Sequence, residues 1–281
     1  MRYGINTFLF ASPFKDEHTH FFDDFKEWGF EAVEVVVEED GDIDPSFVKD
    51  ELDKRGLACA SMCGAFGPGR DLRGTPSEQR DTIAYIQHRI DMMETLDTEW
   101  FVGPIYSAVG RTELYSDAER KDQWQTVVKN LQELARYAEE RGKKLGVEPL
   151  NRFETDFLNS CEQGLRLIED VGSPAVGLHL DTFHMNIEEK NIAEAVRKAG
   201  DQLGHFHACG SDRGTPGNDH IDWVGIGQAL KDIGYDGNMV IESFTDEVKV
   251  IARAASIWRE FEPDKRDIAR EGVKFLKKSF G

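Results

Sequence analysis

Residues 171–184 read Val171-Gly172-Ser173-Pro174-Ala175-Val176-Gly177-Leu178-His179-Leu180-Asp181-Thr182-Phe183-His184. The Gly-Ser-Pro joint ends one element. The apolar run Val176–Asp181 that follows has the length of a buried strand, and it breaks its own pattern with an acid at its last residue. The same unit recurs along the chain. Apolar runs at Tyr3–Phe8, Ala32–Val37, Leu57–Cys63, Trp100–Tyr106, Lys144–Leu150, Leu203–Cys209 and Met239–Phe244 read as seven further strands, eight in all. Stretches with the 3.6-residue period of an amphipathic helix lie between them. The clearest puts Trp124, Val127, Val128, Leu131, Leu134 and Ala138 on one stripe. Gly closes several of these stretches, as at Trp28-Gly29, Arg55-Gly56, Arg141-Gly142 and Ile233-Gly234, where a left-handed cap is wanted.

Strand–helix alternation predicts a parallel sheet covered by helices. Eight such units predict an α/β chain closed into a (β/α)8 TIM barrel. A doubly wound open sheet is the alternative, but no G-x-G-x-x-G follows the first strand to support it. No linker or low-complexity segment divides the chain, so residues 1–281 are expected to form a single TIM-barrel domain.

A barrel of this kind carries its chemistry at the C-terminal ends of its strands. Four consecutive strands break pattern there: strand five with Glu148, strand six with Asp181, strand seven with His207 and strand eight with Glu242. A buried carboxylate costs several kcal/mol unless it is paired or bound to metal. Three carboxylates and one imidazole converging on one side of the barrel mouth make a divalent-cation site. The donor set is rich in oxygen, with one nitrogen and no sulfur. It suits Mn²⁺, Mg²⁺ or Co²⁺ better than structural zinc. His179 and His205 lie two residues before Asp181 and His207, on the same strand faces but deeper, and read as barrel-interior histidines. His18, His20 and His88 fall in helical or loop regions and carry no signal.

Composition narrows the partners. Hydrophobic residues make up 40% and charged residues 31%, a globular balance. The 34 basic against 53 acidic side chains leave a net charge of -19, which predicts no nucleic-acid partner and no anionic-membrane partner. The longest acidic cluster, Glu38-Glu39-Asp40-Gly41-Asp42, reads as a solvated loop. The start of the chain has one basic residue and a broken apolar stretch, so no signal peptide is expected. Cys59, Cys63, Cys161 and Cys209 show no C-x-x-C spacing and read as reduced, buried thiols of a cytoplasmic protein.

The expected metal set suggests a reaction. An ion that chelates a carbonyl and the neighbouring hydroxyl acidifies the carbon between them. One glutamate then takes a proton while the other delivers one. Delivery to the opposite face of the same carbon epimerises it through an enediolate; delivery to the adjacent carbon isomerises an aldose and a ketose. No Gly-rich phosphate loop follows strands seven and eight, and Arg213 and Arg152 are the evident nearby cations. A neutral sugar is favoured over a sugar phosphate.

The segments Gly146–Thr155, Leu180–Glu189 and Gly204–His207 strongly resemble the D-tagatose 3-epimerase family, which includes the D-psicose (allulose) and L-ribulose 3-epimerases of the xylose isomerase-like superfamily. The run Asp181-Thr182-Phe183-His184-Met185-Asn186 is its most specific element. The resemblance implies a Mn²⁺-type ion on Glu148, Asp181, His207 and Glu242, with Glu148 and Glu242 as the catalytic acid/base pair. It further implies that Glu154, His184 and Arg213 bind the O1–O3 end of a ketose. The activity implied is 3-epimerisation of free ketoses; the alternative is a related isomerase or sugar-phosphate epimerase, of hydroxypyruvate isomerase or L-xylulose 5-phosphate 3-epimerase type. Loop 208–213 lacks the Glu that family members usually carry before the Arg. Phe8, Phe66 and Phe244 are candidate sugar-packing platforms. The many exposed helices predict a homo-oligomer, dimer or tetramer, with Trp258 in a late helix as a candidate contact.

Overall fold

The computed structural model describes residues 1–281. Eight strands alternate with helices: β1 (Arg2–Asn6), β2 (Ala32–Val37), β3 (Ala58–Gly64), β4 (Trp100–Gly103), β5 (Lys144–Val147), β6 (Val176–Asp181), β7 (Leu203–His207) and β8 (Asn238–Ile241). The helices are α1 (Phe21–Trp28), α2 (Pro45–Lys54), α3 (Pro76–Thr95), α4 (Asp117–Glu139), α5 (Cys161–Val171), α6 (Thr182–Glu188), α7 (Ile192–Ala199), α8 (Trp223–Asp232), α9 (Lys249–Ala254) and α10 (Lys265–Phe280). Each strand pairs in parallel with the next, and β1 closes the barrel by pairing with β8; Gly4 sits between Ala32 on one side and Val240 on the other. The expected (β/α)8 barrel is present.

All eight expected strands exist, but β4, β5 and β8 stop three residues earlier than their apolar runs suggest. Ile105, Tyr106, Leu150 and Phe244 are buried beyond the last paired residue. Their apolarity reflects burial at the barrel rim, which does not require strand pairing. The expected stripe on α4 is correct, with Val127, Leu131, Leu134 and Ala138 all buried. Helix starts are set by local chemistry. Thr75, Ser116 and Ser160 cap α3, α4 and α5 through their hydroxyls, and Glu78, Glu119 and Gln163 complete capping boxes.

The two ends of the barrel differ. Trp100 opens β4 and lies across β6 and β7 at their N-terminal ends. A Cβ on Gly204 would stand 2.0 Å from its ring and one on Gly177 2.9 Å, so both strands need glycine there. The C-terminal end is left for polar groups.

Two expectations are corrected. The acidic segment 38–42 is more than solvated: Asp40 bonds the fully buried guanidinium of Arg89, and Glu39 pairs with Arg70. Tyr85 lies between these arginines, whose guanidinium carbons are 4.3 and 4.0 Å from its ring centre. Trp258 is exposed as expected, but it lies in the loop between α9 and α10 and not in a helix, because α9 ends at Ala254. The four cysteines are free and buried. No helix is long and apolar enough to cross a membrane.

Candidate metal centre

The four pattern-breaking residues come together. Asp181 and His207 are the last residues of β6 and β7 and pair directly across the sheet. Glu148 and Glu242 follow the last residues of β5 and β8 by one. One ligand atom from each of the four lies within 4.8 Å of the others, and all four residues are buried. Local structure fixes each of them. Asp181 also caps α6: its Oδ1 accepts from Phe183 N at 2.7 Å, which leaves Oδ2 for the cluster. Glu148 is tied by its backbone, with its N–H on Gly103 O at 3.1 Å and its C=O accepting the Tyr106 hydroxyl at 2.9 Å.

The cluster has the unfinished valences that a cation would satisfy. His207 Nδ1 and Glu148 Oε1 are buried and have no hydrogen-bond partner. His207 Nδ1 stands 3.4 Å from Glu242 Oε2 and 3.7 Å from Asp181 Oδ2. With three carboxylates and one imidazole, these residues fit a divalent ion of oxygen-preferring type.

Charge balance is worked out inside the protein. Burial and the neighbouring Glu242 carboxylate hold Glu148 well above the usual carboxylate range. Burial disfavours the charged form of Asp181 too, but Arg213 outweighs it and holds the group low. Burial also opposes a charge on His207, yet Glu34 and Glu242 outweigh it and hold the imidazole well above the usual histidine range.

The three expected sugar-binding residues border this cluster. Arg213 follows β7 in a loop and takes up a left-handed backbone with φ of 70°. Its side chain is buried and turned inward. Nη1 donates to Asp181 Oδ2 and Glu242 Oε2, both at 2.7 Å, and Nη2 lies 2.9 Å from His184 Nε2. The guanidinium stacks between Phe183 and Phe244, with ring centres at 4.4 and 4.7 Å. His184 is buried on α6, and its Nδ1 accepts from Asn151 N at 3.0 Å. Glu154 is half-buried at the rim, where its Oε1 accepts from Asn151 Nδ2 at 2.8 Å. Arg152, in contrast, is spent on Glu188 and largely exposed. Phe8 and Phe244 meet edge-on at 6.3 Å; Phe66 packs on Tyr85 and Phe101.

His179 and His205 form the layer below, paired across β6 and β7. The His179 ring packs 4.0 Å from the His207 ring and 5.0 Å from that of His205. Burial keeps His179 well below the usual histidine range. Sequence reasoning missed Glu34, in the middle of β2. Its carboxylate meets both His205 and His207, and these two imidazoles outweigh burial to hold it well below the usual range. The one available signal was a lone acid in the otherwise apolar run Ala32–Val37.

The sequence pattern of the xylose isomerase-like TIM barrel family matches residues 22–279. A probable ketose 3-epimerase of Synechocystis sp. is 35% identical over 286 residues, covering 100% of this chain and 97% of that protein. The chain belongs to the ketose 3-epimerase family of xylose isomerase-like barrels. Within this family, the D-psicose 3-epimerase of Enterocloster bolteae is 30% identical over 100% of this chain and 96% of its own length. The crystal structure of D-allulose 3-epimerase from Methylomonas sp. in complex with D-allulose is also similar. It has a TM-score of 0.92 at 28% identity, covering 99% of this chain and 97% of that one. Epimerases of this kind are enzymes of the isomerase class.

Proposed function

We propose that this chain, acting as one barrel domain over residues 1–281, is a metal-dependent ketose 3-epimerase that interconverts free ketoses at C3. The observation that carries this is the placement of Glu148 and Glu242. They reach one buried cluster from β5 and β8, the two ends of a four-strand arc, with Asp181 and His207 between them. The relatives' names support the same reaction.

Glu148, Asp181, His207 and Glu242 would hold the ion, Mn²⁺ in this proposal with Co²⁺ or Mg²⁺ as further fits. Once bound, it supplies the Lewis acidity that lowers the pKa of a C–H beside a carbonyl. One of the two glutamates takes the C3 proton on one face of the sugar, and the other returns a proton on the opposite face. Their location at opposite ends of the arc suits that division. Arg213 and His184 orient the oxygens at the O1–O3 end, and Glu154 accepts from a hydroxyl there. The Phe183 and Phe244 rings stack on the Arg213 guanidinium and hold it in place. Arg213 Nη1 pairs with two carboxylates, which partly offsets its charge and favours a neutral ketose over a phosphorylated one.

Incubation with D-fructose, D-tagatose or L-ribulose in D₂O with Mn²⁺ tests the reaction. The expected outcome is the 3-epimer carrying deuterium at C3. Deuterium at C1 with aldose formation would instead mean isomerisation, and no turnover of any free ketose would sink the proposal.

A further inference from the structure

Glu34 lies between Val33 and Val35 on β2 and is fully enclosed. Its side chain crosses the barrel interior to the strands opposite. Oε1 accepts from Asn6 Nδ2 at 2.6 Å and meets His207 Nε2 at 2.8 Å. Oε2 accepts from Ser61 Oγ at 2.5 Å and meets His205 Nε2 at 2.7 Å. Each carboxylate oxygen therefore has two donors. Packing gives no reason for an acid here, since Ala32, Val33, Val35, Val36 and Val37 fill the rest of the strand. A buried carboxylate is costly unless satisfied in this way, so its use lies in what it holds.

What it holds is the imidazole that faces the candidate metal centre. A carboxylate only accepts, so the proton between Glu34 and His207 sits on Nε2. That directs Nδ1, which has no hydrogen-bond partner, at Glu242 Oε2 and Asp181 Oδ2. The Asn6 amide that donates to Glu34 also lies 3.3 Å from Glu242 Oε1. One side chain on β2 thus reaches two members of the cluster, His207 directly and Glu242 through Asn6.

We infer that Glu34 is a positioning residue for a divalent cation at this centre: it sets the Nε2–H tautomer and ring orientation of His207 and, through Asn6, steadies the Glu242 carboxylate. The inference rests on the metal site proposed above. It assigns a role to the wall of the barrel opposite the four proposed ligands.

The test is titration of the full-length protein with Mn²⁺ alone, followed by calorimetry, with no sugar present. Glu34→Gln keeps the volume but removes the charged acceptor of the His207 N–H. It should weaken Mn²⁺ binding by about 10–100-fold, the usual cost of losing such a partner. Ser61→Ala removes a donor from Glu34 but leaves the His207 contact, so its loss should stay below about 10-fold. A purely structural role for Glu34 would lower the melting temperature of Glu34→Gln without moving its dissociation constant, and that result overturns the inference. Should Glu34→Gln fail to fold, Glu34→Asp decides. It keeps the charge but falls short of His207, and native-like Mn²⁺ affinity in this variant would equally overturn the inference. Wild-type protein that binds no Mn²⁺ would remove the metal site itself, an outcome distinct from equal binding by wild type and variant.

Discussion

The wall formed by β5–β8 and the wall formed by β1–β3 meet the same buried cluster with different chemistry. On β5–β8, the four residues of the cluster sit at or just past the C-terminal ends of the strands, and one ligand atom of each meets the others. On β1–β3, the buried polar residues are Asn6 at the end of β1 and Glu34 and Ser61 within β2 and β3, and they bond mainly to one another and to the histidines opposite. In the proposed reading, one wall presents groups to a ligand and the other holds those groups in place. Both must carry buried polar residues, so burial of charge by itself does not mark the reacting side.

The sharpest way to break this division is Glu242→Gln on the first wall. Loss of a general acid/base group should lower kcat by about 10²–10⁴-fold with the fold retained, as steady-state rates and circular dichroism would show. Unchanged turnover would mean that Glu242 is only a ligand or a support, and the two walls would no longer differ in kind.

A smaller effect concerns protons. Burial opposes the charge on His207, but Glu34 and Glu242 hold its pKa above the ordinary histidine value, so in the metal-free protein a cation must displace a proton to bind there. Apparent Mn²⁺ affinity should fall as pH is lowered through that raised pKa, approaching about tenfold per pH unit for one displaced proton. Affinity that stays flat with pH would show that His207 Nδ1 carries no proton and that the two walls are less strongly coupled.

The smallest effect is expected from Asn6→Ala on the second wall. The change removes the donor to Glu34 and Glu242 and leaves the Phe8 N–H, now 2.8 Å from Asn6 Oδ1, without its acceptor. The expected cost is about 1–3 kcal/mol of stability in denaturant unfolding, with a loss of kcat well below that of Glu242→Gln. A larger kinetic than thermodynamic effect would move Asn6 to the reacting side.

Asp181, Glu148, His207 and Glu242 are legible in the sequence because each interrupts an apolar run at its end, and the cost of burying a charge there is a local fact. His184, Glu154 and Arg213 lie outside the strands, where a loop residue gives no sign of its direction. Resemblance to a family pointed to them, and the fold turned Arg213 inward between two rings. Glu34 carried the same signal as Asp181, an acid among apolar neighbours, but sat mid-strand, where no rule of position marked it. The acidic segment 38–42 shows the opposite case, since its composition suggests solvation while Arg89 and Arg70 reach it from elsewhere in the chain.

The sequence by itself determined the number of strand–helix units, the closure into a barrel and the four strand-end residues that break pattern. Strand and helix periods and the cost of buried charge act within a few residues, so a linear reading contains them. Only the tertiary structure decided which atoms face each other. It set the Glu34 carboxylate against His207, 173 residues away in the chain. It also placed Trp100 against Gly204 and put Arg213 among the carboxylates. Such pairings depend on barrel register and on side chains meeting across the interior, and no local pattern encodes them.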